Sequence, residues 1–156
     1  MPTTTEAARP MFDRDLADAR GAAPALRLDG SQLLRRGVAV IGLAGIALVH
    51  VVDATGKFHE TPYLGWGYLA LIAGCFAVAG MLLERDDRRA WTGAAALAAI
   101  AAVAFILSRT TGLPSAKDDI GNWFEPLGLA TLFAEAVVVA VSLRALASLR
   151  IRSAVR

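Results

Sequence analysis

The chain predicts an all-α integral membrane protein, a four-helix bundle with both termini cytoplasmic and a short outer surface helix in its third connection. Three observations carry that expectation. Apolar residues make up 56% of the 156 residues and the mean hydropathy is positive, above the roughly 45–50% apolar content of soluble domains. These residues are gathered into four runs with the charges pushed to the run ends, as membrane-crossing helices require. Thirteen of the sixteen Lys and Arg fall in the N-terminal segment, the turn between the second and third runs, and the C-terminal segment. That asymmetry places those three segments in the cytoplasm and the first and third connections outside.

Residues 1–36 are polar and read as a largely disordered cytoplasmic tail, with one or two helical turns near Met11–Arg20. The bundle then occupies 37–149. Its first span, Gly37–Val52, is uncharged and rises about 24 Å, so Leu33 and Leu34 must help it cross a layer of about 30 Å. Asp53 closes the span, and 54–61 reads as a loop. Pro62 suits the first turn of the second span, 63–83. Tyr63, Trp66 and Tyr68 stand where an interfacial aromatic belt belongs, and the pairs Ala70/Gly74 and Ala73/Ala77 permit close helix approach. The third span, 91–108, is so rich in alanine that it is expected at the bundle's centre, with Trp91 as an interfacial anchor. The fourth, 127–149, leads into a basic tail at 150–156.

The third connection, 109–126, is long enough to need a reason, because unstructured loops beyond about 12–15 residues are uncommon unless functional or disordered. Ser115, Asp118 and Asp119 are able to start a helix, and Ile120, Trp123 and Phe124 then share one apolar face. The expectation is a short helix lying on the outer surface with Trp123 at headgroup depth. Arg109 is placed to pair with Asp118, Asp119 or Glu125 and hold the loop. It acts as a lid, sealing the bundle or docking a partner.

Two residues within the spans invite chemistry. Glu135 lies nine positions beyond Pro126, about 13 Å into the helix. A carboxyl at that depth must be protonated, paired, or open to a water-filled cavity, and Thr131 one turn away is able to share its hydrogen bond. His50 sits one turn inside the outer end of the first span. With Asp53, His59 and Glu60 it forms a possible metal-ion set, although the spacing matches no diagnostic ligand motif. No nucleophile–base constellation, phosphate loop or cofactor motif is present, so an enzyme is not expected and no cofactor is implied. The arginines flank spans and alternate with acids, which argues against nucleic acid as a partner.

The segment SRTTGLPSAKDDIGNWFEPLGL, with HVVDATGKFHETPYLGWGYL before the second span, resembles a set of small four-span membrane proteins common in actinobacteria. The matching positions are Ser108 to Pro114, Asp118, Asp119, and Glu125 to Gly128. The resemblance implies the four-span topology and marks the two outer loops. It carries no assigned activity and supplies no catalytic residues. Two functions remain open on these residues. One is an accessory or interaction subunit of the cell membrane, whose outer loops dock another membrane or extracytoplasmic protein or a second copy. The other is a metal-ion- or proton-handling protein using Glu135, His50 and the outer-loop acids.

Overall fold

The structure, a computed structural model, describes residues 30–154. It is all-helical, with four helices long and apolar enough to cross a membrane. They are α1 (Gly30–Glu60), α2 (Pro62–Glu84), α3 (Arg88–Thr110) and α4 (Pro126–Ala154). The helical turns expected near Met11–Arg20 lie outside the described residues. Residues 30–36, expected in the tail, begin α1 instead. Residues 150–154, expected as a tail, end α4.

The loop expected at 54–61 is helix. Between Asp53 and Thr61 only Gly56 weakens helical geometry, and the segment is held by packing. Ala54 is buried, Phe58 meets Trp66 edge-on at 5.5 Å, and Lys57 pairs with Glu60 one turn on at 3.0 Å. The break comes at Thr61, whose N–H still bonds the Lys57 carbonyl at 2.8 Å. Pro62 then opens α2, where its missing N–H costs nothing. At the other end of α2, Arg36 of α1 donates to the carbonyls of Leu82 and Leu83, satisfying terminal acceptors that a helix leaves open. Asp87 caps α3 by accepting from the Ala90 N–H at 2.9 Å.

Consecutive helices are neighbours, and the ring closes between α4 and α1. A Cβ on Gly42 of α1 would lie 2.4 Å from a Val138 methyl of α4, and one on Gly74 of α2 would lie 3.0 Å from Leu97 of α3. The small residues therefore set how closely the helices approach. On α4 the buried positions are Gly128, Thr131, Glu135, Val138, Ser142 and Ala145, alternating three and four apart as a single inward stripe requires. Alanine does not put α3 at the centre. Ala90, Ala94, Ala98 and Ala101 form one buried stripe, while Ile100, Val103, Ile106 and Leu107 face outward. Trp91 is a second correction. It is 1% exposed and donates to Asp86 at 2.6 Å, so it fills the core rather than anchoring an interface.

Leu43, Ile46, Leu82, Trp91 and Val138 belong to one apolar core. They come from the basic half of the bundle, the end carrying Arg36 and the 85–87 turn. The other half, toward Lys57 and Arg109, is packed differently and holds the site.

A polar cavity under the third connection

In the loop-side half the four helices enclose a cavity of about 450 Å³. Its size falls within the range of small-molecule pockets. Each helix contributes polar groups. They are His50, Asp53 and Lys57 from α1, Tyr68 from α2, Ser108 and Arg109 from α3, and Thr131 and Glu135 from α4, with Asp119 and Glu125 from the loop above. The reason is periodicity. Arg109 continues the Ala94–Ala98–Ala101 stripe two turns further on, and Glu135 occupies the middle of the α4 stripe. Neither side chain has an outward option.

Arg109 forms the roof. It is 6% exposed, with Nη1 2.8 Å from Asp119 Oδ1 and Nη2 3.2 Å from Glu125 Oε2. Its guanidinium stands 4.9 Å over the Phe105 ring, a favourable cation–π distance. The Arg109 carbonyl accepts from the Gly121 N–H at 2.9 Å, so backbone and side chain together pin the loop. Lys57 adds a longer contact to Asp119 at 3.7 Å. Asp118 has no part in this network and is exposed.

Glu125 serves α4 as well. Its carboxylate accepts from the Leu127 and Gly128 N–H groups at 3.2 and 2.9 Å, capping α4 just ahead of Pro126 and placing negative charge at the helix N-terminus. Gly128 is required beneath it. A Cβ there would lie 2.4 Å from the Phe105 ring and 2.7 Å from Glu125 Oε2.

The outer surface helix expected in the third connection is absent. Residues 111–125 fold as successive turns. Gly112, Ser115 and Gly121 all have positive φ, at 76°, 56° and 82°, which no right-handed helix accommodates. Leu113 and Ala116 exchange both backbone hydrogen bonds, at 2.9 and 3.0 Å, around the Pro114–Ser115 turn. Trp123 packs edge-on toward Phe105 at 6.4 Å, while Phe124 is 88% exposed.

Deeper in the cavity, Tyr68 donates to Asp53 at 3.1 Å and meets the His50 ring edge-on at 4.7 Å. Tyr68 is thus turned inward, unlike Tyr63 and Trp66, which stay exposed. The Nδ1 of His50 lies 2.8 Å from the Ile46 carbonyl, and this contact defines Nδ1 as the protonated nitrogen. Glu135, 1% exposed, accepts from the Thr131 hydroxyl at 3.0 Å. Its second oxygen, Oε2, has no hydrogen-bond partner among the described residues, and neither does Nε of Arg109. Gly128, at the level of the roof, is seven residues from Glu135, so roof and floor are separated by about 10 Å.

The possible metal set is not assembled. Among the described residues no three His, Cys, Asp or Glu side chains gather into a metal-holding group. Because α1 runs unbroken to Glu60, His59 falls on the opposite side of the helix from His50, and His59 and Glu60 are exposed. Asp53 and His50 reach the cavity without them. Lys57 is a cavity residue that sequence reasoning does not single out. Had α1 been continued through Gly56, Lys57 would have fallen one turn beyond Asp53 and on its face.

No protein-family model matches the chain, and no curated protein or solved structure matches it.

Proposed function

We propose that this is a multi-pass membrane protein that binds a small cation in the loop-side cavity, with the Glu135 carboxylate as its counter-charge. The observation that carries this reading is Glu135, a buried residue that lines the cavity and whose Oε2 has no hydrogen-bond partner among the described residues. A buried carboxyl oxygen without a partner costs about 1–3 kcal/mol, and an intramembrane acid facing a cavity points to a solute or proton path. The charge balance supports a cation. Arg109 and Lys57 are engaged by Asp119, Glu125 and Glu60. Asp53 lies within Coulombic reach of Lys57, and Glu135 forms no ion pair among the described residues. Lacking a third ligand nearby, the site suits an organic ammonium ion better than a metal ion. The distribution of Lys and Arg supports an arrangement with the loop end outside and both termini in the cytoplasm.

The test is titration of the purified protein with a panel of primary ammonium ions. Binding that is lost in Glu135→Gln and partly restored in Glu135→Asp is expected. An unmodified protein that binds none of the panel refutes the reading.

A second reading, an accessory subunit whose outer loop docks another protein or a second copy, is favoured by the exposure of Ile120, Trp123 and Phe124 on the roof. Phe124→Ser would then abolish co-purification of a partner from native membranes and leave ammonium binding unchanged.

A further inference from the structure

The cavity has a side as well as a roof. Helices α2 and α3 are pinned in the basic half, where Leu97 packs on Gly74 and Val78 on Gly93. At the loop end α2 is tied to the third connection by the Tyr63 hydroxyl, which donates to the Pro114 carbonyl at 2.6 Å. Between those ties, over about 16 Å of helix, the facing residues are small or turned outward. Gly67 and Leu71 of α2 and Ile100 and Ala104 of α3 line the cavity. Yet Gly67 and Ala104 are exposed, Ile100 is 66% exposed, and Ile100 and Ala104 also line a second groove. A residue that lines an interior and also faces outward marks an opening. Outside it lies a second, apolar groove of about 380 Å³ along α3, which shares Ile100, Ala104 and Leu113 with the cavity and adds Val103 and Leu107.

The roof is shut by contrast. Arg109 joins Asp119 and Glu125, and Lys57 joins Glu60 and Asp119, over the loop end. Passage there means separating several ion pairs, whereas the window between α2 and α3 carries no charged rim.

We infer that the cavity opens sideways into the apolar layer between α2 and α3, and that its cation is an amphiphile, an alkylammonium ion or similar. The ammonium group sits at Glu135, and the apolar body leaves through the Gly67/Ala104 window into the α3 groove. This rests on the cation-binding reading and adds the route and the ligand class. A neutral lipid would leave Glu135 Oε2 without a partner.

The experiment uses the full chain in phosphatidylcholine nanodiscs and octylamine carrying a terminal diazirine. Expected are photo-adducts on Val103, Ala104 and Leu107 that excess octylammonium suppresses and methylammonium does not. Gly67→Trp and Ala104→Phe should each reduce the suppressible labelling by about tenfold or more, as displacement of a seated alkyl chain implies. Gly67→Trp does not need the core to move, since a Cβ on Gly67 meets nothing within 4 Å. Gly45→Trp, also directed into open space and away from the cavity, should leave labelling unchanged, and thermal unfolding of all three checks their folding. Equal competition by methylammonium and octylammonium, with both window variants unaffected and Glu135→Gln inactive, overturns the lateral route while preserving the cation site. Labelling that no ammonium ion suppresses overturns both.

Discussion

Replacing Glu135 by leucine separates a binding carboxyl from a structural one. The two side chains are similar in size, so the core stripe of α4 stays filled. The substitution removes the Thr131–Glu135 hydrogen bond, worth about 1 kcal/mol, and relieves the unpartnered Oε2, worth about 1–3 kcal/mol. The freed Thr131 hydroxyl is able to bond a carbonyl one turn back in its own helix, which recovers part of the loss. The balance favours the variant by about 1 kcal/mol, or about 2–4 °C in midpoint for a chain of this size. Thermal unfolding in detergent, followed by tryptophan fluorescence, measures it. Octylammonium should raise the midpoint of the unmodified protein and leave the variant's unchanged, because a ligand stabilises only the state that binds it. A variant less stable by about 2 kcal/mol or more would show that Glu135 holds the bundle together through a bond to another helix, and the argument from its free oxygen would fall.

Arg109→Met should loosen the third connection, since it breaks the contacts to Asp119, Glu125 and Phe105 around a group that is 6% exposed. A loss of about 3 kcal/mol and faster proteolysis within 111–125 are expected; an unchanged cleavage rate would contradict the latch. Gly128→Ala should destabilise the fold by about 1–3 kcal/mol through overpacking against Phe105 and Glu125, with the unfolding midpoint as the measure. Ser115→Gly should stabilise the loop by up to about 1 kcal/mol by relieving its φ of 56°, read as slower amide exchange at Leu113 and Ala116.

Much of the architecture was legible in the amino-acid order because a membrane layer leaves few alternatives. An apolar run of the right length must be a helix, and Pro62 and Pro126 mark two of the helix starts. Where only Gly56 interrupted the first helix, local reading stopped it too early, since packing of Phe58 on α2 is a tertiary contact. The third connection departs from the expected helix for the opposite reason. The spacing of Ile120, Trp123 and Phe124 is helical, but three left-handed residues and the Gly121–Arg109 backbone bond override it. Arg109 and Glu125 were legible as partners by proximity in the chain. That Glu125 also caps α4 needed only its position before Pro126, a signal present in the sequence.

By itself the sequence determined the number of helices long and apolar enough to cross a membrane, the imbalance of positive charge and the existence of one acid deep in the fourth of them. Those follow from hydropathy and residue count, which require no knowledge of neighbours. Only the tertiary structure decided what the acid faces. Small residues let the basic half of the bundle close around Trp91, Leu43 and Val138, while His50, Tyr68, Arg109 and Glu135 converge in the other half around space left unfilled. Convergence of that kind depends on the angular register of four helices at once, and no single helix encodes it.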